Sequence, residues 1–138
     1  MIENIERSFE DDCAFNFAND VIFPKWNVNI ILEFITEGSS LSFGQISATI
    51  PEISPRMLSM RLKFLIDSGI LSPLLADEDK PKKLRYELTQ SGKKLAVVLK
   101  YIREWSLEYG TCTNDKCHNN ECRHGKAISK LINLNNLI

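Results

Sequence analysis

The run SPRMLSMRLKFLIDSGIL, residues 54–71, admits few folds because both of its ends are chemically marked. Ser54 is a residue type that caps a helix by accepting from a first-turn amide. Pro55 suits the first helical position, where no amide hydrogen is needed. Leu58, Leu62, Leu65 and Ile66 fall on one side at helical spacing. Gly69 then fits the left-handed position that closes a helix. The spacing predicts a helix over about residues 54–68, with Arg56, Ser59, Met60 and Lys63 on its other side. That second side either meets water or reads something.

The neighbouring segments narrow the choice. Residues 26–37, WNVNIILEFITE, place Trp26, Ile30, Ile31, Phe34 and Ile35 on a wide apolar stripe, and Gly38 ends it. The run SFGQ announces a short helix: Ser42 can cap, Gln45 can reach back, and Ile46 and Ile50 point inward until Pro51 stops it. From Ile70 the period changes. ILSPLLA is extended, DEDKPKK is a charged tip, and LRYELT alternates with Leu84, Tyr86 and Leu88 on one face. Thr89 can cap a long helix in which Leu95, Val98, Leu99, Ile102, Trp105 and Tyr109 recur at spacings of three and four. A short N-terminal helix is expected from Ile2, Ile5 and Phe9, with EDDCAFN breaking its pattern. A last amphipathic helix carries Ile128, Leu131 and Ile132.

The order is helix, short helix, turn, helix, two-stranded hairpin, helix. This describes a mainly α protein with a small β-hairpin wing, a winged helix-turn-helix. In such a unit the helix after the turn enters the DNA major groove while the hairpin lies along the backbone. The expected layout is an N-terminal arm or helix at 1–24, the winged domain at 25–110, a Cys/His-rich loop at 111–125 and a C-terminal helix at 126–138. The wing is expected over about 70–88.

The segment from Trp26 to Trp105 resembles the HxlR-type winged-helix transcription regulators, which are related to the MarR group. The matching residues are Trp26, Phe43-Gly44, the run IPEISPRMLSMRLKFL leading to Gly69, Pro81, Tyr86-Glu87-Leu88-Thr89, Gly92 and Trp105. The family usually has an acidic residue where this chain has Arg85, and often a Cys-Pro pair where it has Cys13-Ala14. The resemblance implies a homodimer, paired through N- and C-terminal helices, on a pseudo-palindromic operator, with repression as the expected output. Physics points the same way. One small unit makes few phosphate contacts, so useful affinity needs two half-sites about 10 base pairs apart.

With the leucines facing the core, Arg56, Ser59, Met60 and Lys63 must face out. Arg56 is expected to make a bidentate contact to guanine, Ser59 to bond a base or phosphate, and Met60 to touch a thymine methyl. Lys63 is expected to meet phosphate, with Arg61 packing its stem and turning its head to the backbone. Ser54 and Met57 complete the expected DNA-binding set on this helix. In the wing, Lys82, Lys83 and Arg85 are expected on the backbone, although Asp77, Glu78 and Asp79 cancel charge at the tip. The competing readings are a solvated helix face and a winged helix used for protein contact.

The tail TCTNDKCHNNECRHG has no aliphatic side chain and no Phe, Tyr or Trp to bury. Cys112, Cys117, Cys122 and His124, with His118 as an alternative, offer four soft ligands within 13 residues. Zinc favours such a set, ahead of iron–sulfur, and would order a loop that cannot order itself cheaply. Free thiols in a linker or oxidative disulfides are the alternatives. Cys13 stands apart among acids. In some members of the resembled family an upstream cysteine senses electrophiles or oxidants, which makes Cys13 a redox candidate. A small buried hydrophobe is the alternative.

Bulk charge excludes little. The net charge is −1, but residues 25–103 hold 12 Lys/Arg against 8 Asp/Glu, and residues 1–24 hold one Arg against six acids. A nucleic-acid partner must therefore use a local patch. Both histidines lie in the polar tail and no phosphate-cradling glycine loop is present, so an enzyme is not expected. There is neither a secretory pattern nor an apolar run near the ~20 residues of a membrane span, so a cytoplasmic home is expected.

Overall fold

A computed structural model describes residues 13–38, 40–75, 84–110 and Lys126. Five helices and three strands follow in order. These are α1 (Ala14–Ile22), α2 (Asn27–Glu37), β1 (Leu41–Ser42), α3 (Phe43–Thr49), α4 (Pro55–Asp67), β2 (Leu71–Leu75), β3 (Leu84–Leu88) and α5 (Gln90–Tyr109). The strands form one antiparallel sheet in the order β1-β3-β2. Pro73 sits in β2, an edge strand, where its missing amide hydrogen removes no interior ladder bond.

The helix ends form as their residues dictate. Ser42 and Gln45 make a reciprocal capping box, with Gln45 N–H donating to Ser42 Oγ at 3.2 Å and Ser42 N–H to Gln45 Oε1 at 2.9 Å. The Ser54 hydroxyl accepts from Met57 N–H at 3.1 Å. At the far end of α4, Gly69 has φ +78°, Ile70 N–H reaches the Leu65 carbonyl at 2.9 Å and Gly69 N–H reaches Ile66 at 3.0 Å. This paired closure turns the chain directly into β2. The Thr89 hydroxyl accepts from Gly92 N–H and donates toward the Gly69 and Ile70 carbonyls. One side chain thus caps α5 and ties it to the end of α4.

The core gathers Ile30, Ile31 and Phe34 of α2, Ile46 of α3, Leu58, Leu62 and Leu65 of α4, Leu71 of β2, Tyr86 of β3 and Ala96 and Leu99 of α5. Burying a leucine side chain contributes roughly 1.5–3 kcal/mol relative to leaving it in water. Three fully buried leucines therefore fix the rotation of α4 about its axis.

Two features depart from the sequence expectation. The break expected at EDDCAFN, residues 10–16, overlaps a helix that starts at Ala14 and runs to Ile22. The polar residues precede Ala14, and Phe15, Phe17, Ala18, Val21 and Ile22 then recur at helical spacing. The β2–β3 pair of the expected hairpin is present, and an unexpected third strand joins it: Leu41 pairs with Tyr86 and Ser42 with Arg85. A helix signal in SFGQ hides a strand only two residues long. Trp26, the N-cap of α2, takes the left-handed region at φ +82°, which is rare for a bulky residue. Its ring packs against the core under the Lys25 ammonium, 4.8 Å from the ring centre.

Candidate nucleic-acid interface

The outer side of α4 is built by the leucines on its inner side. With Leu58, Leu62 and Leu65 buried, Arg56, Ser59, Met60 and Lys63 are exposed. Their spacing of three, four and seven puts them on one stripe. From Arg56 to Lys63 the helix rises about 10 Å at ~1.5 Å per residue. That matches about three base-pair steps at ~3.4 Å each along a strand. The stripe has the charge and length to lie against base edges, it is exposed among the described residues, and Met60, 55% exposed, packs into no core there.

The other expected DNA residues divide. Ser54 is exposed, but its oxygen is engaged in the cap. Met57 is half-buried and packs against the core: it sits one position before Leu58 and turns partly inward with it. Arg61 is half-buried, and its Nε is buried without a hydrogen-bond partner among the described residues. Arg85 is not a free wing cation. Its Nε donates to Ser40 Oγ at 2.8 Å and a terminal nitrogen donates to the Ser40 carbonyl at 2.6 Å, clasping the approach to β1 against β3. Lys82 and Lys83 lie outside the described residues, as do Cys112, Cys117, His118, Cys122 and His124. Cys13 is described and is exposed at the N-cap of α1, not a buried hydrophobe.

Burial pushes the Tyr86 phenol above its ordinary range, so it stays protonated. Together with Phe43 of α3 it forms one wall of a groove whose other wall is the flank of α4. No local sequence signal announces this groove, because it is assembled from three elements.

The model of the HxlR-like helix-turn-helix family matches residues 21–114. The chain belongs to the HxlR-like family. YvaP of Bacillus subtilis (strain 168), an HTH-type transcriptional regulator, is 34% identical over 95 residues, which is 69% of this chain and 85% of that protein. YodB of the same organism, also an HTH-type transcriptional regulator, is 33% identical over 92 residues, 67% of this chain and 80% of YodB. The solved structure of reduced YodB superposes with a TM-score of 0.63 at 29% identity, over 72% of this chain and 95% of that one. The redox regulator HypR in its oxidised form gives 0.60 at 28% identity, over 70% and 96%. The fold is thus the winged helix-turn-helix of HxlR-like and MarR-related regulators. The family and these relatives are transcriptional regulators and not enzymes. The HxlR-like match takes in Cys112 but ends before Cys117, Cys122 and His124.

Among the described residues no helix is long and apolar enough to cross a membrane, and no cluster of His, Cys, Asp and Glu is placed to hold a metal.

Proposed function

We propose that the chain represses transcription by binding a pseudo-palindromic operator as a homodimer, with α4 in the major groove and the β2–β3 hairpin beside it. The observation that carries the reading is the stripe of Arg56, Ser59, Met60 and Lys63 facing away from the leucines. A dimer seated on a promoter excludes other proteins from that DNA, which makes repression its simplest output.

Pairing is supported by what α1 and α5 leave uncovered. Phe15, Phe17 and Phe23 are 77%, 54% and 74% exposed, and Tyr101, Trp105 and Tyr109 are 60%, 66% and 72% exposed. Val98 and Ile102 continue the α5 stripe at helical spacing. Each aromatic side chain buries roughly 150–250 Å², so four of them approach the ~800 Å² per partner of a standard interface. The residues outside the winged core, in the arm at 1–24 and the segment at 126–138, are assigned to the same role.

The decisive test is selection of bound duplexes from a random pool. The selected site should show two half-sites about one helical turn apart, and sedimentation should give a dimer both alone and on the DNA. Single half-sites or a monomer would overturn the dimer. No enrichment over random duplex would overturn the operator reading.

A thiol-responsive version is favoured by Cys13. It is exposed and lies two residues from Phe15, on the surface assigned to pairing. Structures of relatives include reduced and oxidised forms of HypR and a diamide-treated form of YodB. In this chain, modification of Cys13 would bear on the dimer face and so on half-site spacing. Zinc at Cys112, Cys117, Cys122 and His124 rests on ligand type and spacing alone. Metal analysis of the purified full chain, before and after a Cys117→Ser substitution, tests it: one equivalent lost on substitution supports the site.

A further inference from the structure

The outer stripe of α4 does not end at Lys63. Asp67, the last residue of the helix, is exposed and lies four positions beyond it. Arg56, Met60, Lys63 and Asp67 are spaced by four, three and four, so one line of side chains changes sign along its length. Along the helix axis Asp67 stands about 6 Å past Lys63 and about 16 Å past Arg56, at ~1.5 Å per residue. No ion pair or hydrogen bond holds its carboxylate among the described residues. Helix stability does not account for it either, because an anion in the last turn is repelled by the negative end of the macrodipole.

We infer that Asp67 is a specificity residue: it repels the phosphate backbone and so makes α4 enter DNA with its N-terminal half first. The inference rests on the DNA-facing reading of α4. The macrodipole and the side chains agree in direction, positive toward Arg56 and negative toward Asp67. The topology agrees too. The C-terminal end of α4 closes at Gly69 and is tied to the start of α5 by the Thr89 hydroxyl, and β2 leaves from there. Leu71 pairs with Leu88 at this base of the hairpin, and Leu75 with Leu84 at its far end. β2 is five residues long, about 16 Å at ~3.3 Å per residue. A hairpin whose far end reaches the backbone holds its base, and the Asp67 end of α4 with it, back from the duplex.

Two docked states then differ at Asp67. With matched bases, Arg56 and Ser59 draw the N-terminal half into the groove, and Asp67 stands clear of phosphate. Without matched bases, binding is almost wholly a matter of phosphate contacts, so the helix gains most by lying flat with Lys63 on a strand. Asp67, one turn on, then falls within the ~8 Å Debye length of the phosphate that Lys63 meets. A unit charge ~7 Å from a phosphate costs roughly threefold in affinity in a water-like dielectric, less with screening and more when both protomers contribute. The repulsion therefore weakens unmatched complexes and spares the matched one. It widens the gap between operator and bulk DNA with no added base contact.

The test compares the full chain with Asp67→Asn, titrated at matched salt onto the selected operator and onto a random duplex of the same length. Asp67→Asn should tighten random-duplex binding about 3–10-fold and operator binding no more than about 2-fold, so the ratio between them falls. Its salt slope should steepen on the random duplex and hold on the operator. Asp67→Lys should carry the same trend further. Asp20→Asn, which makes the same change in net charge at an exposed position of α1, should alter neither affinity. Thermal unfolding should show Asp67→Asn no less stable than the parent, since the change removes an anion from the last turn. Equal tightening on both duplexes, no tightening on either, or the same effect from Asp20→Asn overturns the proposal. Weaker operator binding by Asp67→Asn would make the carboxylate a base contact and overturn it too. A parent chain that binds no duplex would instead remove the DNA-facing reading of α4, and the role of Asp67 with it.

Discussion

Gly92 offers the sharpest test of how α4 is held in place. A methyl group there would lie 2.4 Å from the Ile70 carbonyl oxygen and 2.8 Å from Leu88 Cδ2. The leucine methyl can rotate away, but the carbonyl cannot. It accepts from Thr89 N–H at 3.0 Å and from the Thr89 hydroxyl at 3.1 Å, and the Ile70 amide on the same residue closes α4 at Leu65. Gly92→Ala should therefore behave as overpacking, which costs about 1–3 kcal/mol. Alanine's helix propensity returns at most ~1 kcal/mol of this, and less in a first turn. A net loss of about 1–2 kcal/mol is expected, which lowers Tm by roughly 3–10 °C in a chain of this size. Gly44→Ala is the internal control. Gly44 lies in the first turn of α3 with nothing within 4 Å of an added Cβ, so the same substitution should be neutral or stabilising. Urea unfolding of both variants, followed by circular dichroism, reads the two signs. If Gly92→Ala is as stable as the parent with an unchanged m-value, the contact between α5 and the end of α4 is looser than the geometry states, and the argument fails.

Five further outcomes are expected. Arg56→Ala should relax base preference by about 1–3 kcal/mol at one position, read by titrating matched and mismatched operators, whereas equal losses on both would count against the base contact. Lys82→Ala should lower affinity evenly across sequences and flatten the salt slope by about one unit; an unchanged slope removes it from the DNA contacts. Arg85→Ala should cost about 1–3 kcal/mol of stability through its bonds to Ser40 and leave the salt slope intact; a flattened slope would return Arg85 to the DNA surface. Trp105→Ser should shift the sedimentation equilibrium toward monomer, and Cys13→Ser should make operator binding insensitive to diamide; a dimer of unchanged strength, or persistent sensitivity, refutes each in turn.

What could be read from the chain was local chemistry. Ser42 with Gln45, Ser54 with Pro55, Gly38, Gly69 and the cap that Thr89 gives Gly92 all act within a few residues, and each stands where its residue type demands. The α4 leucines were equally legible, because a helical period orients every side chain once one face is assigned to the core. What escaped was the structure made by distant partners. β1 exists only because Leu41 and Ser42 meet Tyr86 and Arg85, and two residues carry no periodicity of their own. α1 was hidden by the acids just upstream, which mask the start of an apolar stripe that begins at Ala14. The groove needs Phe43, Tyr86 and one flank of α4 brought together, and no spacing along the chain encodes that.

The two arginines show why residue type alone could not finish the site. Arg56 lies between Pro55 and Met57 and Arg85 between Leu84 and Tyr86, and both are expected on DNA, the one on a base edge and the other on the backbone. A guanidinium carries five donors and seeks acceptors wherever they lie. At position 85 acceptors lie within its own chain, on Ser40, 45 residues away, so the side chain serves the sheet. At position 56 the side chain stands exposed beside Ser59 and Met60 on the face turned away from the leucines. The difference is one of surroundings: a cation already supplied with acceptors adds stiffness, and one held out on a rigid helix remains free to choose a partner. It follows that the β1–β3 clasp and the α4 stripe perform separable tasks. Loss of Arg85 should loosen the platform from which the wing projects without changing which bases are preferred, and loss of Arg56 should do the reverse.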